Sequence, residues 1–266
     1  MSSQPRTWLI TGTSSGFGLE LARITIKRGD RVIATSRNPE KIPTIDSDRF
    51  HTAQLDQNQP LEEVKARIDN ILATFGSQID VVVNNAAYVQ KGTVEESTPE
   101  ETLRQFQANT LGPMNVYRAI LPHMREKRSG TLVTIGSMAA WYPMPSCNLY
   151  NASKAATRIF RTGLLEPSAN VTDSTSRIPD YKEMNATADR NFIAFNGAQL
   201  GNPVKGAEVI YDVITSSGCA QGREVPSWLP LGSDASVEIA KSANQVLADI
   251  ETWKEISALS DFPVGQ

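Results

Sequence analysis

The stretch that decides the fold is TWLITGTSSGFGLELARITIKRGDRVIAT, Thr7 to Thr35. Thr7–Thr11 is a short, mostly apolar strand. A turn rich in glycine follows, Gly12-Thr13-Ser14-Ser15-Gly16-Phe17-Gly18. Leu19, Ala22 and Ile26 then recur at helical spacing. Gly29 stands where a helix C-cap wants positive φ. Arg31–Thr35 is a second strand. Strand, glycine turn, helix and strand in this order form a parallel unit, and only in that context do such glycines carry meaning. Gly12 lets the chain turn sharply, Gly16 lets the backbone approach a pyrophosphate, and Gly18 allows close packing of helix and strand. The helix N-terminus offers free N–H groups and a positive dipole end to phosphates. Ser14 and Ser15 lie in the same turn and belong to the expected phosphate-binding set.

Working outward, the alternation continues. Phe50–Leu55 is a weaker strand. Leu61, Val64, Ile68, Ile71, Leu72 and Phe75 mark one face of a helix, with Gly76 at its end. Ile79–Val83 is apolar with little alternation, as in a strand buried on both faces. Thr98, Pro99 and Glu101 form a capping-box start. That helix is expected to reach about Lys127 with a kink near Gly112–Pro113. Thr131–Ile135 is the fifth strand. The expected fold class is α/β, a Rossmann-like doubly wound parallel sheet with helices on both faces. One domain is expected over 1–266, with 7–160 for cofactor and chemistry, 161–224 over the substrate, and 225–266 for a last strand and helix.

Composition narrows the partners. The chain has 266 residues, a net charge of −3, 40% hydrophobic and 21% charged residues. That balance does not suggest nucleic acid or an anionic membrane surface. Two cysteines, Cys147 and Cys219, have no metal spacing and make no disulfide framework. His51 and His123 stand apart, so no metal site is expected. No apolar run approaches a membrane span, and MSSQPR is no secretory leader. A cytoplasmic location is the expectation.

Two groups bear on chemistry. At the end of the second strand, Ser36 and Arg37 replace the acidic side chain that would accept from a ribose 2′-hydroxyl. Arg37 offers a planar fork to a 2′-phosphate, which favours NADP(H); a solvated surface arginine would read the same. Ser137 follows the fifth strand directly. Tyr150 and Lys154 are four residues apart and share a helix face. A phenol of pKa about 10 exchanges protons poorly near neutrality. An adjacent ammonium favours the phenolate, and a serine hydroxyl can bond a substrate oxygen. This set suits hydride transfer between a ketone and a secondary alcohol.

With Thr11-Gly12-xxx-Gly16-x-Gly18, Asp56, Asn84-Asn85-Ala86, Asn109, Ser137 and Tyr150-xxx-Lys154 in place, the chain resembles the short-chain dehydrogenase/reductase family in its NADP-type branch. The resemblance implies a nicotinamide cofactor and a homodimer or tetramer. It places Asp56 beside the adenine, Asn84 and Ala86 along the adenine ribose, and Ile10 against the cofactor through its backbone. Asn109 would hold a water linking Lys154 to solvent, and Arg118 would make a cofactor contact. Gly201–Ser217 resembles the penultimate helix, Ser227–Leu231 the last strand, and Gly232 to about Leu259 the final helix. The wording LPLGSDA points to lipophilic, secondary-metabolite-like substrates. Tyr142, Met144 and Cys147 are candidate pocket residues.

One departure stands out. The family's Tyr–Lys helix runs on into a sixth strand, a Pro-Gly and a threonine that touches the carboxamide of the cofactor. Here Lys154 is followed within seven residues by Arg161-Thr162-Gly163, so Thr162 falls in the cofactor set with no strand before it. A parallel crossover needs about a dozen residues or more, so roughly two dozen are absent relative to the family. The sheet is therefore expected to lack or rearrange its sixth strand. The expected function is an NADPH-dependent reductase of a lipophilic small molecule. The alternatives are a catalytically impaired nucleotide-binding member serving as scaffold or partner subunit, and redox-neutral chemistry such as isomerisation.

Overall fold

The structure, a computed structural model, describes residues 4–75, 78–158, 182–195, 201–226 and 228–260. Gly76, Thr162, Ser227 and much of the stretch 161–224 expected over the substrate lie outside the described residues. Five parallel strands form one sheet: β1 Thr7–Thr11, β2 Arg31–Ser36, β3 Phe50–Gln54, β4 Val81–Asn84 and β5 Thr131–Thr134. Their order is β3-β2-β1-β4-β5. The direction of winding reverses between β1 and β4. In such sheets the crevice beyond the strand ends at that point takes the ligand.

The sheet is covered on both faces because its central strands are apolar through their middles, on both sides of the pleat. Trp8, Ile10, Val32, Ala34, Val81 and Val83 face one layer, built from α1 (Gly16–Lys27) and α7 (Pro203–Thr215). Leu9, Ile33 and Val82 face the other, built from α2 (Leu61–Phe75) and α4 (Gly112–Lys127). The doubly wound expectation holds.

Thr98 caps α3 (Pro99–Phe106) with the reciprocal Glu101 bond of a capping box. The expected kink near Gly112–Pro113 takes another form. Residues Gln107–Leu111 make a π-turn that joins α3 to α4 without a break. Pro113 has no N–H to give the Asn109 carbonyl four residues earlier, so the ladder widens there.

After β5 the chain forms a short turn at Met138–Ala140, then α5 (Asn148–Thr157), α6 (Lys182–Phe195), α7 and α8 (Ser233–Ser257). Among the described residues no sixth strand stands beside β5. The strand expected at Ser227–Leu231 is not formed over 228–231. Pro230 brings no N–H to a ladder, and the segment is held by side chains instead. Trp228 meets Trp141 edge-on at 5.7 Å between ring centres. Leu231 closes over Gly206, where an added Cβ would come within 3.0 Å of it.

Candidate active site

The crevice at the switch point is built by backbone stitched to threonine and asparagine. Thr11 Oγ1 accepts from the N–H of both Asn85 and Ala86, at 3.0 Å each. The Asn85 amide donates back to the Thr11 and Gly12 carbonyls at 2.9 and 3.1 Å. On the β2 side the Thr35 carbonyl accepts from Gly12 N and Thr13 N, at 2.9 and 3.2 Å, and from Thr13 Oγ1. The Thr35 hydroxyl donates to the Ile10 carbonyl at 3.1 Å, so that backbone oxygen is held inside the sheet. The turn is thus locked to both neighbouring strands.

The glycines are required by this closeness. Gly12 has φ +70°, and a Cβ there would lie 2.8 Å from Ala86 Cα. At Gly18 a Cβ would collide with the Asn85 amide and come within 2.6 Å of the Gly12 carbonyl. Gly18 therefore serves the junction of turn and β4 loop more than the helix-to-strand packing expected of it. Gly16 adopts φ +61°. Ser15, the N-cap of α1, makes no capping bond through its side chain, and the first turn holds no acidic residue. Ser15 and Gly16 are exposed. An uncapped, dipole-positive helix end behind a collapsed glycine turn fits a pyrophosphate.

Around that end the structure places the other expected residues unequally. Ser36 is half-buried and Arg37 exposed at the C-terminal end of β2. Arg37 also lies close enough to Tyr88 to favour its phenolate, although burial wins and pushes the Tyr88 hydroxyl above its ordinary value. Asp56 is half-buried and accepts from Asn58 N at 3.0 Å. Asn84 is buried at the end of β4. Its amide donates to the Pro113 carbonyl at 2.9 Å beneath the floor. Arg118 is exposed on α4 and bonds Asn115 at 2.9 Å, so it is not brought to the site. Tyr142 and Met144 lie in the loop before α5, and Met144 packs on the Tyr150 cluster.

The chemistry-bearing residues meet at the end of β5. Lys154 is buried and donates from Nζ to the Ile135 carbonyl at 2.8 Å. Burial lowers its pKa to about 8. The same ammonium lies 5.9 Å from the centre of the Tyr150 ring. Tyr150 is 1% exposed and packs with Val89, Ala139 and Cys147. Ser137 starts the turn above it, accepting from Ala139 N at 3.1 Å. A cavity of about 120 Å³ opens onto Ser137 and Lys154, walled by Trp141, Arg158, Trp228 and Ile239. Tyr150 does not line it. Asn109 is buried in the π-turn, where its side chain is fully used: Oδ1 accepts from Tyr88 N, and Nδ2 donates to the Tyr88 carbonyl and to Ser153 Oγ. The Asn109 carbonyl is the one to which Pro113, having no N–H, cannot donate.

Sequence reasoning placed Thr11 and Asn85 in the motifs without a role for either, and missed Thr35 and Gln57 as builders of the site. Buried Gln57 donates to the Ala86 carbonyl at 3.0 Å and to the Ala108 carbonyl at 2.6 Å, tying the β4 loop to the π-turn. The available signal was polar side chains at strand ends, where backbone groups run out of ladder partners.

A parallel sheet in this order, with a phosphate-ready turn at its switch point, defines a dinucleotide-binding protein. Residues 6–171 match the short chain dehydrogenase family, and the chain belongs to that family of oxidoreductases. It is 30% identical to oxidoreductase BOA17 of Botryotinia fuckeliana, across 96% of this chain and 99% of the relative. That alignment runs over 283 residues, more than the 266 of this chain, so the relative carries residues with no counterpart here. A short-chain dehydrogenase from Streptomyces avermitilis superposes with a TM-score of 0.82 at 28% identity, covering 98% of this chain and 100% of that one. A gluconate 5-dehydrogenase from Burkholderia cenocepacia, solved with NADP and tartrate, gives 0.55 at 29% identity over 59% and 63% of the two chains. No helix among the described residues is long and apolar enough to cross a membrane.

Proposed function

We propose that this chain interconverts a ketone and a secondary alcohol on a lipophilic small molecule, with NADP(H) as cofactor. The observation that carries the reading is the buried Lys154 ammonium beside the Tyr150 ring, at a cavity shared with Ser137. The glycine turn and uncapped α1 end fit the pyrophosphate, and Gly12, Ser14, Ser15, Gly16 and Gly18 would hold it. Ser36 and Arg37 would hold the 2′-phosphate, with Asp56 and Ala86 on the adenine side. When bound, the cofactor supplies or accepts the hydride.

The chain's own residues do the rest. Ser137 Oγ orients the substrate oxygen. Tyr150 Oη gives that oxygen its proton as the carbonyl carbon is reduced, and takes it back in the reverse direction. Lys154, still charged below pH 8, favours the phenolate that remains. The Asn109 carbonyl offers a water the route by which that proton is replaced. Residues 161–224 would cover the substrate.

One observation favours the alternative, a nucleotide-binding member with impaired turnover that acts as scaffold or partner subunit. Helix α5 stops at Thr157, three residues past Lys154, and the Lys154 ammonium gives one of its three N–H groups to a strand-end carbonyl. An aligned relative with residues that have no counterpart here is what a missing segment would produce. Fluorescence titration with NADPH and NADH, followed by NADPH oxidation with a panel of lipophilic ketones, separates the readings. Tight NADPH binding with turnover supports the reductase. Binding without turnover, cured by grafting a relative's segment between Ile159 and Phe160, supports the impaired member. No binding of either cofactor sinks both.

A further inference from the structure

The opposite end of the sheet from the crevice holds a second arrangement that the oxidoreductase reading does not use. Thr7 is in register with Arg31, and Arg49 precedes Phe50, the register partner of Val32. Arg49 thus stands beside Arg31 on the neighbouring strand, its carbonyl accepting from Val32 N at 2.9 Å. Side chains alternate along a strand. Arg31 therefore shares a face with Ile33, and Arg49 with His51. His51 is the register partner of Ile33 and stacks on Phe75 of α2 at 4.7 Å between ring centres.

These side chains surround a cavity of about 450 Å³, within the common range for small-molecule sites. Arg49 is anchored through Nη1 to the Gly29 carbonyl at 2.9 Å, which fixes one guanidinium on the rim. Among the described residues neither Arg31 nor Arg49 has a carboxylate within 4.0 Å, although Asp48 lines the same cavity. Like charges on adjacent strands repel. A planar fork fixed in place, with no described carboxylate paired to it, is suited to an oxyanion.

We propose that this cavity is a second ligand site, which takes a phosphate monoester. The dianionic phosphate lies between Arg31 and Arg49, and the ester group lies against the His51–Phe75 ring pair. The site is at the starts of β1 and β2, whereas the cofactor crevice is at their ends, so the two are separate.

The chain has two histidines, which gives a local readout. His123 is on α4, bonded to Asp69. The ring signals of both are followed by NMR during titration with inorganic phosphate and with phenyl phosphate, against chloride at equal ionic strength. We expect a saturable shift of His51 alone, at lower concentration for phenyl phosphate, with the midpoint raised at least tenfold in Arg31→Gln and in Arg49→Gln. Phosphate bound in the crevice leaves His51 unmoved. A linear shift of both histidines alike, no shift at His51, or an unchanged midpoint in folded variants overturns the proposal. Should a variant fail to fold, the wild-type contrast between His51 and His123 decides alone.

Discussion

Helices α1 and α8 carry the same kind of sequence signal and meet opposite fates. In α1, twelve residues long, Gly18, Leu19, Leu21, Ala22, Ile24 and Thr25 are buried. In α8, twenty-five residues long, only Ala235 is buried among the described residues. Yet Ile239, Val246, Ile250 and Trp253 recur at helical spacing, just as the apolar residues of α1 do. The first turns of α8 are used: Ile239 walls the Ser137 cavity, and Ser242 donates to the Trp141 carbonyl at 2.8 Å. Beyond them Val246, Leu247, Ile250 and Trp253 are all more than half exposed. Periodicity shows which face a helix would cover. Whether it is covered depends on a neighbour elsewhere in the chain. For α1 that neighbour is a sheet written within the same thirty residues.

The contrast is between a closely stitched nucleotide half and a loosely covered C-terminal half, and it can be broken at several points. The largest expected effect lies where the halves meet. Tyr150→Phe keeps the ring packed against Val89 and Cys147 and removes only the transferable proton. Turnover should fall about 10²–10⁴-fold, the usual worth of general acid–base catalysis, with NADPH binding retained. Turnover within twofold of the parent would remove Tyr150 from the proton path. Next comes Gly12→Ala. The positive φ and the approach of Ala86 to 2.8 Å act together. Left-handed strain and overpacking should cost about 2–4 kcal/mol in denaturant unfolding. A smaller loss would mean the turn is less tightly stitched than its hydrogen bonds imply.

Arg37→Ala tests cofactor choice without touching the stitching. Loss of a bond to a charged phosphate should weaken NADPH by about 1.5–3 kcal/mol and leave NADH nearly unchanged. Equal losses for both cofactors would make Arg37 structural. A subtler effect comes from Lys154. Its folded pKa, about 8, is below the ordinary 10.5, so above pH 8 the unfolded chain binds more protons than the folded one. Stability should then rise with pH from 8 to 9 by about 1 kcal/mol relative to Lys154→Met. Cys147, pushed up to about 11 from 9, acts in the opposite sense from pH 9 onward, which limits the test to that window. Parallel pH profiles for parent and variant would show that Lys154 is not desolvated.

Much of the nucleotide half was legible in the sequence, because its rules are local. Strand ends, the capping box at Thr98 and the glycine turn each follow from residues within a few positions of one another. The parts that were not legible depend on contacts across the chain. Asn84 was expected along the ribose, and the bond its amide makes to the Pro113 carbonyl, twenty-nine residues away, was not legible. Gln57 spans fifty-one residues to reach Ala108. Ser227–Leu231 resembles a strand in apolar content, but a strand needs a partner, and none is described beside it. The same dependence explains why α8 could be placed correctly and its environment could not.

The smallest expected effect is also the sharpest test of the contrast. Trp253 is 57% exposed on the uncovered stripe of α8. Its neighbour Lys254 pairs with Glu251 along the same helix, so the surrounding surface is held by local contacts. Surface substitutions away from caps and buried networks usually change stability by less than about 0.5 kcal/mol. Trp253→Ser should fall in that range in denaturant unfolding at low protein concentration. Helix propensity alone accounts for only a few tenths of a kcal/mol of any loss. A cost above about 1.5 kcal/mol would therefore mean that the ring is buried in solution, since that is the least that full burial of a large apolar side chain is worth. Repeating the measurement across a tenfold range of protein concentration separates the two ways this could happen. A cost that grows with concentration would place a second molecule on the stripe, because only association responds to mass action. A cost independent of concentration would place the cover within the same chain. Either result would erase the contrast between α1 and α8.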